Sequence, residues 1–324
     1  MPKKTERDVS FLRPPTAADF DCDLERARQS VVALKADVPE DAFTAGTLGI
    51  ERAGSGVVIG DRGLVLTIGY LVTEAESLWL TTYDNRAVPG HVLGYDQETG
   101  FGLVQALGKL DVPPLPLGDS SETKIGDPVL IAGGGRAQSV FARIVAKQEF
   151  AGYWEYLLDE AIFTAPAHGF WGGTGMIGRD GKLLGIGSLH VQQATGLGSA
   201  RDVNMIVPID LLKPILDDLM KFGRVNKPSR PWLGLYAAEN EGKLVVIGLA
   251  ERGPAASAGL RQGDVISGVR DAEVETLPDL FRQIWASGPA GAEIPIEVKR
   301  DGRTMWVRVR SSDRTKHLKG PRLQ

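Results

Sequence analysis

From residue 30 onward the apolar positions come in short runs rather than at long helical periods. SVVALKADV, GSGVVIG, GLVLTIGYLV, SLWLTTY and AVPGHVLGYD are followed by FGLVQAL, DPVLIAGG, VFARIVAKQE, EYLLDEAIFTA and KLLGIGSLHV, with Gly, Asp and Asn between them. β-Branched runs punctuated this way predict an all-β barrel or sandwich. Asp180-Gly181, set between two such runs, predicts a hairpin whose turn needs φ > 0. One segment reads as a long helix, VPIDLLKPILDDLMKFG. Leu211, Leu212, Ile215, Leu216 and Leu219 share a face, Asp210 is placed to cap the start, Gly223 to end it, and Pro214 falls in or near the first turn. A basic, proline-bearing linker, RVNKPSRP, follows. Beyond it, strands are predicted around WLGLYA, LVVIGLA, DVISGVR, IPIEVKR and MWVRVRS, with helices at PAASAGL and PDLFRQIWAS. The expected division is an N-terminal arm (1–29, with a short helix over 21–30), a β-barrel domain (30–223), a linker (224–231), a small mixed α/β domain (232–312) and a polar, frayed tail (313–324).

Composition narrows the function classes. A chain of 324 residues is long enough for two or three domains. Forty glycines and nineteen prolines agree with many turns. A formal net charge of -4 gives no case for nucleic acid or a membrane surface as partner. Cys22 is the single cysteine, which excludes an intrachain disulfide and a cysteine metal cage. No metalloprotease His-Glu-x-x-His, phosphate loop or Gly-x-Ser-x-Gly elbow occurs, so no cofactor is expected. Gly133-Gly134-Gly135 leads into the strand-like QSVFARIV, not into the helix a phosphate site needs. The N-terminus has a basic start but no apolar core of secretory length, and no window is apolar enough to span a membrane. A cytoplasmic location is therefore expected if Met1 is the true start.

The order of motifs is more specific than any one of them. GSGVVI (54–59), GLVLT (63–67), YDNRAVPGHVLGYD, LPLGDS (115–120), IGDPVLIAGG, GKLLGIGS and VPIDLL together resemble the HtrA-type serine proteases. RPWLGLYA followed by GLAERGPAASAGLRQGDVISGV resembles a PDZ domain. The resemblance covers roughly residues 30–312. It implies a mainly β fold, a trypsin-like double β-barrel followed by a small mixed α/β PDZ domain, often trimeric through the start of the protease domain and associated with protein quality control.

The positions that the resemblance makes catalytic carry other residues. The family's histidine closes a Thr-Asn-Asn-His-Val-Val-like stretch; here the run is Thr67-Ile68-Gly69-Tyr70-Leu71-Val72. Tyr70 stands where the base belongs, and a phenol with an ordinary pKa near 10 is a poor proton acceptor at neutrality. The aspartate follows a Gly-x-Asp run; here Gly94-Tyr95-Asp96 leads to Gly100, which has no side chain. The serine of Gly-Asn-Ser-Gly-Gly is replaced in Gly169-Phe170-Trp171-Gly172-Gly173 by Trp171, whose indole is a donor and no nucleophile. The Gly169 backbone remains for an oxyanion-like pocket, with Phe170 and Trp171 expected to cover it. The histidines are His91, His168, His190 and His317, of which only His168 is expected near the former site, with Thr164 and Thr174 as the nearest hydroxyls.

The PDZ resemblance implies capture of an extended C-terminal peptide: a loop of backbone N–H groups holds the carboxylate and an edge strand pairs with the chain. The matching loop is Trp232-Leu233-Gly234-Leu235, with Arg230 as an added charge. The helix over 278–287 forms the other wall, with Leu280 or Ile284 expected to line an apolar pocket. The sequence thus predicts a pseudoprotease that binds protein or peptide C-termini. A weak hydrolase built around His168 and a structural subunit with closed clefts are the rival readings.

Overall fold

The computed structural model describes residues 15–135, 139–194 and 200–320. These form two compact units. The first holds residues up to 148 and 160–225; the second holds 149–159 and 226–319. The expected arm and tail lie outside the described residues at 1–14 and 321–324.

The first unit opens with a short helix, α1 (Leu24–Gln29), whose N-cap Asp23 accepts from the Arg26 N–H at 3.0 Å. It then folds as two closed antiparallel barrels. Strands β1 (Val31–Asp37), β2 (Glu51–Gly60), β3 (Leu64–Ile68), β4 (Ser77–Thr81), β5 (Ala87–Tyr95) and β6 (Phe101–Ala106) close in the order β1-β2-β3-β6-β5-β4. A single turn, α2 (Ala45–Leu48), lies between β1 and β2. In β1 the period of two is direct: Leu34 and Ala36 are buried while Lys35 and Asp37 face water. Strands β7 (Pro128–Ala132), β8 (Val140–Gly152), β9 (Tyr156–Ala165), β10 (Gly175–Ile177), β11 (Leu183–Ala194) and β12 (Ala200–Pro208) form the second barrel, in the order β10-β11-β12-β9-β8-β7. Its core includes Val129, Ile131, Ile144, Ile162, Met176 and Ile206. Closure leaves neither barrel with a free edge. The Asp180-Gly181 turn joins β10 to β11 as its sequence requires, with the Gly178 N–H on the Lys182 carbonyl at 2.9 Å.

The long helix expected after β12 is broken. Ile209–Leu211 forms a 3₁₀ turn and only Leu216–Phe222 is α-helical, here α3. Pro214 has no N–H to donate and disfavours helical geometry in the residue before it, so the chain turns again before the helix starts. Leu212 and Leu219 are fully buried, and Gly223 closes the helix in a left-handed conformation as expected. Asp210 does not cap this helix; it accepts from the Ser121 N–H and pairs with Lys213.

In the second unit, strands β13 (Leu235–Asn240), β14 (Lys243–Leu249), β15 (Val265–Val269), β16 (Ala272–Glu273), β17 (Glu293–Arg300) and β18 (Arg303–Arg310) make one sheet. Its path is β13-β14-β15-β17-β18, so β13 is an edge strand, and β16 pairs with β15. Two helices accompany the sheet, α4 (Pro254–Ser257) and α5 (Leu277–Ala286), the latter capped by Thr276 through the Asp279 N–H. Leu277, Leu280, Phe281 and Ile284 turn the buried face of α5 onto Leu235, Val246, Ile266 and Ile296.

The tail is not frayed where it begins. Ser312 bridges Trp232, residues 314–317 form a 3₁₀ turn, and the His317 ring lies 4.8 Å from that of Trp232.

Candidate functional site

The three replaced positions converge at the junction of the two barrels. Tyr70 sits in a 3₁₀ turn (Gly69–Leu71) directly after β3. The Gly69 N–H bonds the Gly100 carbonyl at 2.6 Å, which brings the loop before β6 against this turn. From the second barrel, the Gly172 carbonyl accepts from the Ser55 N–H at 2.8 Å. A Cβ on Gly172 would lie 2.6 Å from the Tyr70 hydroxyl, so the phenol fills the space in front of the 169–173 loop.

Tyr70 is held by its proton. Its hydroxyl donates to the Ser188 carbonyl at 2.9 Å. Burial pushes the phenol above its ordinary range; the nearby Trp171 side chain pulls the other way and does not offset it. Such a group is no general base for neutral pH: its neutral form has no ring nitrogen to take a proton, and its ionised form is still scarcer than in an exposed tyrosine. Gly100 has φ +84°, a left-handed conformation that any side chain there must adopt at a cost. Asp96 serves the same loop as a turn residue: its carboxylate accepts from the Thr99 N–H at 2.8 Å.

The alternative constellation around His168 does not assemble. His168 is buried, its Nδ1 accepting from the Phe170 N–H at 3.0 Å and its own backbone N–H bonding Asn204 Oδ1 at 2.6 Å. Thr164 and Thr174 are both fully buried, and the Thr174 hydroxyl is given to the Trp171 carbonyl at 2.9 Å. A hydroxyl inside a barrel cannot meet a substrate carbonyl. The expectation that only His168 lies near the former site is also corrected, since the His190 ring stands 5.3 Å from Trp171. Gly169 is exposed, with nothing within 4 Å of where its Cβ would be. Phe170, expected to cover it, is 75% exposed, because its N–H is turned back to His168 and its ring extends into water.

In the second unit, the carboxylate loop is formed and already holds a carboxylate. The Glu155 side chain accepts from the Leu233 N–H (3.2 and 3.1 Å to its two oxygens) and from the Leu235 N–H (2.9 Å). Gly234 makes this possible with φ +69°; a Cβ there would meet that of Ala250 at 2.8 Å. Trp232, expected among the loop donors, gives its N–H to the Ser312 carbonyl instead. Leu280 and Ile284, one or the other expected to line an apolar pocket, have no exposed surface and are buried in one core with Leu157. Arg230, expected as an added charge beside the loop, sets its guanidinium over the Trp285 ring at 4.4 Å. The cation that acts on the bound carboxylate is Arg314, from a segment that the sequence reading left as tail.

Burial pushes the Glu155 carboxyl up to about 7, against the opposing pull of the loop N–H groups and Arg314. Tyr153 and Tyr236 are the other titratable groups close by. A carboxyl raised on folding takes up a proton in the native state. Its stabilising contribution is complete below about 4.5, the ordinary value, and is lost as pH rises through about 7. The melting midpoint of the second unit, taken as wild type minus Glu155→Gln, is therefore expected to fall between pH 4.5 and 7. Thermal scans across that window check it, and a rising difference would contradict it.

Comparison with known proteins agrees with this architecture. Residues 54–186 match the family described as trypsin-like peptidase domain, and residues 231–310 match the PDZ domain family. A probable periplasmic serine endoprotease DegP-like from Pseudomonas putida is 30% identical over 268 residues, which is 78% of this chain and 54% of that protein. The serine endoprotease DegS of Salmonella typhimurium is 24% identical over 91% of this chain and 86% of its own length. The chain thus spans about half the length of the DegP-like relatives. Among solved structures, the HtrA-type protease AlgW with decapeptide superposes with a TM-score of 0.54 at 22% identity, covering 95% of this chain and 100% of that one. The serine endoprotease from Yersinia pestis gives 0.53 at 21%, covering 93% and 99%.

Fold and matches together define the class: a mainly β chain with a trypsin-like peptidase domain followed by one PDZ domain. Within that class it is of the HtrA/DegP type. The cytoplasmic location expected from the N-terminus is corrected by these comparisons, since the DegP-like relatives are named periplasmic serine endoproteases.

Proposed function

We propose that this chain is an HtrA-type protein that does not hydrolyse peptide bonds and works by binding protein or peptide C-termini through its PDZ domain. One observation carries the first half: a half-buried tyrosine, its hydroxyl donated to the Ser188 carbonyl, occupies the position of the general base. The relatives are named endoproteases, and this chain departs from the family's pattern at each of the three positions their chemistry needs. Loss of the nucleophile or the base alone costs about 10⁶ in kcat in well-studied triads. The second half is supported by two loop N–H groups, of Leu233 and Leu235, able to bind a carboxylate, beside an edge strand. Solved structures of the HtrA-type protease AlgW were obtained with a tripeptide and with a decapeptide.

The purified chain is expected to leave unfolded casein intact and to remain unlabelled by a fluorophosphonate probe. Stoichiometric labelling would overturn the reading. Single reversions, Trp171→Ser or Tyr70→His, are expected to restore nothing. The triple change with Gly100→Asp gives weak turnover at best, because the aspartate must sit at φ +84°. Turnover from Trp171→Ser alone would show that the base lies elsewhere.

A further inference from the structure

The residues that fill the peptide groove come from the chain itself. Segment 149–159 contains the end of β8 and the start of β9, yet it belongs to the second unit. Four of its contacts are those an added peptide would make or need. The Glu155 carboxylate sits on the Leu233 and Leu235 N–H groups. The Tyr153 carbonyl accepts from the Ala237 N–H of edge strand β13 at 3.2 Å, a main-chain bond of the kind that strand addition uses. Leu157 is buried with Leu280, Phe281 and Ile284, as an apolar terminal side chain would be. From α5, Arg282 clamps both ends of the segment through Glu149 and, at 2.7 Å, through Asp159. Glu155 also has φ +59°, uncommon for a residue with a side chain, so the segment holds a less favoured backbone while its carboxylate is seated.

We propose that residues 149–159 are an internal ligand of the peptide groove, and that a partner with a free C-terminal carboxylate and an apolar last residue binds only by displacing Glu155 and Leu157. This rests on the PDZ domain being a peptide binder. The device is a competition between two carboxylates for one set of N–H donors. Its chemistry is intramolecular, so the occupant is always present and weakens every ligand by the fraction of chains in which the loop is vacant. Release of the segment and capture of a partner are then one event.

The test uses the full chain and a fluorescein-labelled decapeptide ending in leucine, with a free carboxylate or amidated, read by fluorescence polarisation. Glu155→Ala is expected to bind the free-carboxylate peptide at least about tenfold more tightly than wild type, the gain if the loop is vacant in about a tenth of wild-type chains. Arg282→Ala, which alters only an exposed clamp, is expected to give a smaller gain in the same direction and serves if Glu155→Ala does not fold. Amide exchange at Leu233 and Leu235 is expected to quicken in Glu155→Ala and to slow again when peptide is added. Equal, carboxylate-dependent affinity in wild type and both variants would overturn the proposal while leaving the peptide-binding reading standing. No binding by any of the three, with exchange still dependent on Glu155, would overturn the peptide-binding reading and the internal-ligand proposal with it.

Discussion

Arg52→Met is expected to destabilise the first unit by about 3–5 kcal/mol, the range found when one partner is removed from a buried charged network. Arg52 lies in β2 and is 3% exposed. Its guanidinium donates to the Tyr70 and Thr73 carbonyls, each at 2.8 Å, to Thr44 Oγ1 at 2.7 Å and to the Gly49 carbonyl at 3.2 Å. Beside it, the Glu74 carboxylate accepts from the Phe43 N–H (3.0 Å), the Thr44 N–H (2.7 Å) and the Thr44 hydroxyl (2.6 Å), and its charge favours the guanidinium. Methionine keeps most of the volume but leaves buried carbonyls without a donor and Glu74 without its cation. Unsatisfied groups of this kind cost more than the bonds they made were worth. Because the chain has two units, a single two-state fit is not appropriate. Urea unfolding followed by amide exchange, read separately for the two units, is the measurement. The first unit is expected to lose its protection at lower urea while the second is unmoved. A loss below about 1 kcal/mol would mean that water replaces the guanidinium. The Tyr70 turn is the part most exposed to this change, since its carbonyl is one of the four acceptors.

Phe281→Ala is expected to cost the second unit about 3–5 kcal/mol, the usual penalty for emptying an aromatic site in a packed core. Phe281 has no exposed surface and stacks on Trp285 with ring centroids 5.7 Å apart. It lies on the face of α5 that contains Leu280 and Ile284, in the core that also takes Leu157. The cavity would therefore loosen the helix from the sheet and weaken the seat of segment 149–159 together. Differential scanning calorimetry should show the transition of the second unit moving down while that of the first stays in place. A shift of both transitions, or of neither, would contradict this account of the core.

How much of the fold and the site is legible in the sequence depends on whether the signal is local. The barrel strands are legible because closure of each sheet around its own core imposes a period of two, visible in Leu34, Lys35, Ala36 and Asp37. The hairpin at Asp180-Gly181 and the helix stop at Gly223 are legible because one residue specifies a backbone conformation. The helix before Gly223 is misread where two local signals compete: an apolar period continues through Pro214, and the missing N–H prevails. Leu280 and Ile284 are legible as an apolar face but not as one already buried, because an amphipathic helix shows which face is apolar and not what that face meets.

By itself, the sequence determined the class of fold, the order of its domains and the residues standing at Tyr70, Gly100 and Trp171, all of which are properties of composition and spacing. Tertiary structure alone decided that the Tyr70 hydroxyl is held by the Ser188 carbonyl, and that Glu155 sits in a loop 78 to 80 residues further along the chain. The physical reason is the same in both cases. A hydroxyl or a carboxylate carries no mark of its partner in the sequence, and the cost of burying it is met only by donors and acceptors that folding brings from far away.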